Sequence, residues 1–111
     1  MDGKVTIKSN KEVDKLFKEG RRVNTSLVAA RIIQTSEERD LTGRVAFVAG
    51  KKLGNAVFRN RCKRVMRVMV KDAGGPWPGC EIVFIARGRR TAVASREELL
   101  KACLTIVKGL G

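Results

Sequence analysis

Apolar positions near the N-terminus recur with a helical spacing. The residues that fall on one helical face are Val13, Leu16 and Phe17. Ser9 followed three residues later by Glu12 is typical of a capping box, which predicts the first turn of this helix. Gly20 predicts its end, because helices commonly stop at a glycine.

Three segments are predicted strands: 22–35, 44–50 and 81–87. The first two are joined by the polar loop 36–43, and a short polar connection favours an antiparallel hairpin. The second segment, RVAFVAG, is apolar at successive positions and so on both faces. This pattern is typical of a strand in the interior of a sheet.

A long helical pattern runs through residues 55–73 and is amphipathic. Its apolar face centres on Cys62 and also contains Phe58, Val65, Met66, Met69 and Ala73. The opposite arc carries Asn60, Arg61, Lys63, Arg64, Arg67 and Lys71, with Arg59 at its edge. The stretch GGPWPG at 74–79 predicts a turn after this helix.

The C-terminal part predicts one more helix after a basic loop, RGRR, at 87–90. SREE at 95–98 is a second capping-box pattern. The inner face of the helix contains Leu99, Cys103, Ile106 and Leu110, flanked by Leu100, Leu104 and Val107. The predicted order is therefore α-β-β-α-β-α, an α+β two-layer sandwich, and 111 residues predict a single domain over 1–111.

The charge balance adds a partner to this picture. The chain has 24 basic and 11 acidic residues, a net charge of +13, and self-repulsion of that size favours an anionic partner. The apolar run 27–33 is too short to span a bilayer and contains Arg31. The first residues lack the apolar region of a signal peptide, so we expect a cytoplasmic protein.

Composition argues against side-chain catalysis. The chain has no histidine, which excludes imidazole bases and Cys-His or Ser-His nucleophile systems. Its acids are scattered rather than clustered as a two-metal site requires. Cys62, Cys80 and Cys103 are widely spaced and are interpreted as small buried hydrophobic residues. We predict no catalytic side chain, no metal ligand and no cofactor bound by the chain itself.

Residues 51–71 concentrate the positive charge. They contain eight basic residues and no acid. An ordinary solvated helix mixes charges at i,i+4, whereas here Arg59–Lys63, Lys63–Arg67 and Arg67–Lys71 are all like pairs, each unfavourable by a few tenths of a kcal/mol. A phosphate partner would reverse that sign, so binding is favoured over a solvated face. Gly54 and Asn55 precede the helix beside Lys51 and Lys52, which makes its start an anion site by geometry as well as a simple turn.

The stretch KKLGNAVFRNRCKRVMR at 51–67 resembles the signature of the protein subunit of bacterial ribonuclease P. All fixed positions of the motif KK-x-GNAV-x-RNR-x-KR-x-x-R are present. The flanks are similar as well, and the resemblance covers roughly residues 7–108: FKEG followed by RRV, the strand EIVFIAR and a last helix opened by SREEL.

The resemblance implies a ribosomal-protein-like α-β sandwich with a left-handed β-α-β crossover, a hand that patterns alone would not indicate. It implies a subunit of a ribonucleoprotein that removes the 5′ leader of precursor tRNA, with the RNA subunit as catalyst and magnesium bound with that RNA. The expected partners are the catalytic RNA, one copy per protein chain, and precursor tRNA. The RNA-subunit surface that it implies consists of Arg59, Asn60, Arg61, Lys63, Arg64, Arg67 and Lys71.

The resemblance also implies a cleft for the single-stranded leader. Its expected lining is Phe17, Ala29, Arg31, Ala46 and Val48, with Lys51 and Lys52 near the cleavage-proximal nucleotides and Arg59 and Asn60 as further candidates there. Phe17 either stacks a leader base or packs in the core beside Leu16. Family members often carry further aromatic residues where this chain has Val13 and Arg31, and a Ser where it has Gly50.

Two alternatives remain at this point. A ribosomal or other structural RNA-binding protein without a processing role would have the same composition, and only the motif separates it from the first interpretation. A DNA-binding helix protein is disfavoured, because the basic helix directly follows a strand and lacks a helix-turn-helix pattern.

Overall fold

The computed structural model describes residues 10–34 and 43–108, which form a four-stranded sheet with helices on both of its faces. The helices are α1 (Asn10–Glu19), α2 (Ala56–Asp72), α3 (Arg89–Val93) and α4 (Arg96–Val107). The strands are β1 (Arg21–Asn24), β2 (Val28–Gln34), β3 (Arg44–Val48) and β4 (Cys80–Ala86). A 3₁₀ turn, Lys51–Leu53, connects β3 to α2. The predicted α+β class is confirmed.

The sheet is mixed, with the strand order β1-β2-β4-β3. β1 pairs with β2 and β2 with β4, both antiparallel, whereas β3 pairs with β4 in parallel. A parallel pair needs a crossover connection, and α2 supplies it. The β-α-β unit expected from the resemblance is therefore present, and its left hand stays a prediction.

Strand alternation divides the apolar residues between two clusters. The larger lies between the sheet and the helices α2 and α4, and its fully buried members include Cys62, Met66, Ile82, Phe84 and Cys103. The smaller lies on the other face, where Leu16 of α1 packs on Ala46 and Val83. On this second face α1 contacts mainly β2 and β4.

The predicted strand 22–35 is wrong as a single element. Residues 25–27 form a turn that separates β1 from β2. The Thr25 hydroxyl donates to the carbonyl of Val28 at 2.8 Å and accepts from its N–H at 3.1 Å. Threonine and serine side chains stabilise turns in this way, so NTS at 24–26 was the signal for the break. Residue 35 and the predicted loop 36–42 lie outside the described residues.

The predicted hairpin between the strands at 22–35 and 44–50 is also wrong, because β4 lies between β2 and β3. β3 is an edge strand rather than an interior one. Its residues are apolar on both faces because helices cover both sides: Val45 joins the larger cluster and Ala46 the smaller. A strand that is apolar on both faces is covered by other elements above and below the sheet. The pattern does not indicate whether the strand lies in the interior of the sheet or at its edge.

The predicted helix ends agree with the structure wherever it describes them. α1 stops at Glu19, and the Gly20 N–H donates to the Leu16 carbonyl at 2.9 Å. Asn55 caps α2. The Ser95 hydroxyl accepts from the Glu98 N–H at 3.1 Å, with Glu98 reaching back to the Ser95 N–H at 3.4 Å. The predicted Ser9–Glu12 capping box lies outside the residues whose side chains are described.

The predicted basic loop 87–90 is correct only for residues 87 and 88, because Arg89 and Arg90 are the first residues of α3. Thr91 on this short helix is fully buried, and its hydroxyl donates to the Leu27 carbonyl at 2.6 Å. The same oxygen accepts from the Arg87 N–H at 3.2 Å. One buried hydroxyl thus joins α3 to the turn before β2, a tertiary contact that the local sequence does not indicate.

Candidate nucleic-acid interface

α2 presents its basic residues to solvent and its apolar residues to the core. The buried residues of the helix are Cys62, Met66, Met69 and Val70. On the opposite side Asn60, Arg61, Arg64, Arg67 and Lys71 are exposed, and Lys63 and Arg59 are partly buried. The helical spacing alone predicted this division, with Val70 as an additional inward residue. We call the outward group, from Arg59 to Lys71, the α2 basic face.

No carboxylate of the described residues neutralises the α2 basic face. Within residues 10–34 and 43–108, none of its cations forms a salt bridge. Carboxylates that form salt bridges there do so elsewhere: Asp72 with Arg96 at 2.9 Å, Glu81 with Arg44 at 3.8 Å, and Glu97 with Lys101 at 3.7 Å. Like charges one turn apart therefore repel without compensation.

Two arginines of the α2 basic face have distinct surroundings. The Arg59 Nε is buried and has no hydrogen-bond partner among the described residues. A buried donor without a partner costs about 1–3 kcal/mol of free energy. A ligand that supplies an acceptor to this Nε would remove that cost and bind more tightly. The Arg67 guanidinium carbon lies 5.8 Å from the centre of the Phe47 ring, within range of a cation–π interaction.

The start of α2 combines a free backbone end with nearby cations. Asn55 Oδ1 accepts from the Phe58 N–H at 2.9 Å, which caps one donor of the first turn. Gly54 has a φ of +147°, in a region that side chains disfavour, so glycine lets the chain turn from the 3₁₀ segment into the helix. Lys51 and Lys52 are exposed on that segment. No acidic residue occupies the first turn of α2.

The predicted leader cleft corresponds to one face of the sheet beside α1. In register, Ala29 of β2 lies beside Ile85 of β4, which lies beside Val48 of β3. These three residues are half-buried and form an apolar floor. Ala46 is a correction: it is only 4% exposed and packs with Leu16 and Val83 beneath α1, so it supports the floor without lining it.

Phe17 and Arg31 occupy the boundary between α1 and this floor. Leu16 takes the core position of α1, at 0% exposure, while Phe17 remains half-buried. The Arg31 guanidinium carbon lies 5.5 Å from the centre of the Phe17 ring, and Arg31 Nη1 donates to the Phe17 carbonyl at 2.8 Å. The aromatic residue and the cation therefore form one unit at the edge of the cleft.

Two residues of this face were missed from sequence. Ile85 completes the apolar floor, and Arg22 of β1 is exposed and lies in register beside Arg31. The alternation of EIVFIAR contained the signal for Ile85, because it lies on the same face as Val83. Nothing in the local sequence indicates that Arg22 lies on this face, because its position beside Arg31 depends on how β1 pairs with β2.

The thiols are not part of this surface. Cys62, Cys80 and Cys103 are buried thiols. Burial raises the pKa of Cys103 to about 12, and it also raises the pKa of Cys62, with the nearby Arg61 charge acting in the opposite direction. Across residues 10–34 and 43–108 there is no group of three His, Cys, Asp or Glu residues that could hold a metal ion. Nor does this part of the chain contain a helix that is long and apolar enough to cross a membrane.

Comparison with known proteins assigns the chain to a family. The family model of Ribonuclease P matches residues 1–111. Ribonuclease P protein components from Bacillus cereus and Syntrophomonas wolfei are 33% and 29% identical to the chain. The alignments cover the whole chain and 95% and 91% of those proteins.

Solved structures agree on the fold. A mutant RNase P protein of Staphylococcus aureus aligns with a TM-score of 0.78 at 24% identity, covering 97% of this chain and 89% of that one. The RNase P protein of Thermotoga maritima aligns with a TM-score of 0.75 at 22% identity, covering 93% and 94%. With the full-length family match and the relative at 33% identity, this chain belongs to the Ribonuclease P protein family.

Proposed function

We propose that the α2 basic face binds the catalytic RNA of ribonuclease P. As a member of the family, the chain is a subunit of the endonuclease holoenzyme that processes precursor tRNA, and its partners are the RNA subunit and the precursor. The observation that carries the assignment is the absence of carboxylate partners for the cations of α2 within the described residues. Arginine forks suit phosphate oxygens. The residues assigned are Arg59, Asn60, Arg61, Lys63, Arg64, Arg67 and Lys71.

The second part of the proposal places the single-stranded 5′ leader in the cleft beside α1. Ala29, Val48 and Ile85 supply an apolar floor, and the Phe17–Arg31 unit supplies a flat surface on which a base can stack. Stacking on an aromatic side chain is worth about 1–3 kcal/mol per base. Lys51 and Lys52 follow β3 at the edge of this floor and would contact phosphates near the cleavage site.

The chain's role in this mechanism is to bind the catalytic RNA and to orient the leader of the precursor. The RNA subunit would hold the magnesium, which would supply there the charge that activates water and stabilises the phosphodiester transition state. The scattered acids and missing histidine of the chain support that division of labour. By fixing the leader at one end and the catalytic RNA at the other, the protein lowers the entropic cost of placing the scissile phosphate. We further propose a 1:1 complex with the RNA in the cytoplasm.

Reconstitution with the cognate RNA tests the proposal. The protein with that RNA should cleave precursor tRNA to give a 5′ phosphate on the mature end, and should do so at lower magnesium than the RNA alone. The protein without the RNA should not cleave at any magnesium concentration. Binding of the RNA without any gain in cleavage would instead favour a structural RNA-binding protein, and cleavage by the protein alone would contradict the non-catalytic role.

A further inference from the structure

The segment between β4 and α4 carries positive charge that the proposed surfaces do not use. Residues 82–96 contain four arginines and no acid, namely Arg87, Arg89, Arg90 and Arg96. Arg96 pairs with Asp72 at 2.9 Å, and Arg87 Nη1 donates to the Thr25 carbonyl at 2.9 Å. Arg89 and Arg90 are exposed, and neither guanidinium has a hydrogen bond or ion pair within residues 10–34 and 43–108. We call these two the α3 arginine pair.

The α3 arginine pair stands on a fixed support. Thr91 and Ala92, the next two residues of α3, are buried. The Thr91 hydroxyl, at 0% exposure, bonds both the Leu27 carbonyl and the Arg87 N–H. A buried hydroxyl with both of its bonds made fixes the helix, because moving α3 would leave two buried polar groups unpaired. The pair therefore presents charge at a defined place rather than on a mobile loop.

That place lies on the same side of the sheet as α2. α3 packs directly against α2, while α1 and the leader cleft lie on the other face of the sheet. β3 and β4 run parallel, so both strands finish at the same end of the sheet, and the segments that follow them start there. Lys51 and Lys52 follow β3, and the α3 arginine pair follows β4. Residues 43–71 are likewise free of acid, so the segments that follow β3 and β4 both carry positive charge without a carboxylate of their own.

We infer that the α3 arginine pair is a second phosphate-binding site for the catalytic RNA, separate from the family motif on α2. The inference rests on the proposed function, since it takes the same RNA as its ligand. Two separated contacts on one rigid protein define an axis, whereas a single helix leaves the RNA free to pivot about it. The pair thus fixes the orientation of the RNA relative to the cleft on the opposite face.

The test replaces both residues, as Arg89→Ala with Arg90→Ala, and measures the dissociation constant for the catalytic RNA alone over a range of salt. Neutralising one phosphate contributes somewhat under one unit to the log–log salt slope, so the slope should fall by about one to two units. The matched control is Lys15→Ala with Lys18→Ala, which removes the same charge from exposed positions on α1. It should leave the slope for this RNA nearly unchanged.

Other outcomes overturn the inference. An equal fall in the control would reduce the effect to net charge, and an unchanged dissociation constant would remove the site. A loss confined to precursor tRNA binding by the assembled holoenzyme would move the pair to the substrate. An Arg61→Ala with Arg64→Ala variant run in parallel tests α2 separately, so the proposed function can stand while this inference fails.

Arginine modification with phenylglyoxal gives a measurement that does not depend on variants. With the wild-type protein, the catalytic RNA should protect Arg89 and Arg90. Arg22, on β1 at the cleft face, should stay reactive in that complex and become protected only when precursor tRNA is added. Full reactivity of the pair in the RNA complex would contradict the inference even if a variant failed to fold.

Discussion

Arg31 lies over the ring of Phe17 and bonds its backbone, with the guanidinium carbon 5.5 Å from the ring centre and Nη1 2.8 Å from the carbonyl oxygen. One side chain thus caps the C-terminal part of α1 and covers one side of its aromatic residue. The guanidinium plane is a stacking surface in its own right. In this chain the edge of the cleft therefore combines a positive charge with a flat surface, where sequence alone left Phe17 between core packing and base stacking.

The first prediction concerns this pair. Arg31→Ala and Phe17→Leu should each weaken binding of a precursor with a long leader to the holoenzyme by about 5–50-fold, a loss of about 1–2 kcal/mol, because one stacking surface is removed. Binding of mature tRNA, which lacks a leader, should not change. The double variant should cost less than the sum, since both residues act as one unit.

Equal losses for mature tRNA and for the precursor would contradict the leader assignment. Val93→Ala serves as the control for general surface change, because Val93 is 71% exposed on α3, which packs on the opposite face of the sheet from α1. Equilibrium binding, measured with a precursor whose scissile phosphate is chemically blocked against cleavage, gives the dissociation constants.

The second prediction concerns the α2 basic face. Arg61→Ala with Arg64→Ala should weaken association with the catalytic RNA by about 10–100-fold, since each residue offers a charge-assisted hydrogen bond to phosphate. The thermal midpoint should stay the same or rise slightly, because both side chains are exposed and removing them relieves repulsion. Filter binding and a melting curve measure the two effects, and a large fall in the midpoint with unchanged binding would reject the site.

The third prediction separates folding from binding at Asn55. Asn55→Ala removes the acceptor for the Phe58 N–H and should cost about 1 kcal/mol of unfolding free energy. Asn55→Asp keeps the cap and adds a charge that favours the helix start, so stability should be kept or improved. The same aspartate would also place a negative charge against the phosphates of the bound RNA, so it should weaken RNA binding. An aspartate variant that binds the RNA as tightly as the wild type would remove the start of α2 from the interface.

The fourth prediction concerns pH. Burial raises the pKa of Cys103 to about 12, whereas the unfolded thiol titrates near its ordinary value of about 9. Between those values the folded chain carries more protons than the unfolded one, so the free energy of unfolding falls as pH rises above about 9. The slope from this group reaches at most about 1.4 kcal/mol per pH unit. Denaturant unfolding between pH 8 and 11 measures it.

Cys103→Ala is the control for that slope. It should lower stability at every pH by loss of packing, and it should flatten the decline above about pH 9. A matching test is alkylation: at pH 8 the native protein should resist iodoacetamide at all three buried thiols, and the protein unfolded in guanidinium should react at each. Rapid native alkylation of Cys103 would show that the burial is not maintained in solution.

Local patterns predicted α1, α2 and α4 well, because each helix end depends on residues a few positions apart, but they did not predict α3. The Asn55 cap, the Ser95–Glu98 capping box and the stop at Gly20 are contacts between near neighbours, and all three are present. The same reasoning gave the inward and outward sides of α2. The Thr25 turn between β1 and β2 is local as well, and the residues NTS at 24–26 contain the signal for it.

The sheet could not be obtained in this way. Which strands pair depends on contacts between residues far apart in sequence, so β4 comes between β2 and β3 although nothing local to either strand indicates it. Ala46 was misplaced in the cleft because its burial beneath α1 is a tertiary contact. Alternation indicated the face of Ile85, but its position between Ala29 and Val48 depends on how β4 pairs with β2 and β3. The cleft depends on that pairing for its floor and on α1 for its wall.

The sequence by itself determined the chemistry: a basic, histidine-free chain with an acid-free run of eight cations at 51–71, suited to a phosphate partner. Composition and helical period suffice for that, because charge adds along the chain and one helical face needs only residues three and four apart. The tertiary structure decided where these charges meet other groups. Phe17 with Arg31, and α3 against α2, are brought together only when the sheet assembles, since no segment of the chain contains both partners within one element.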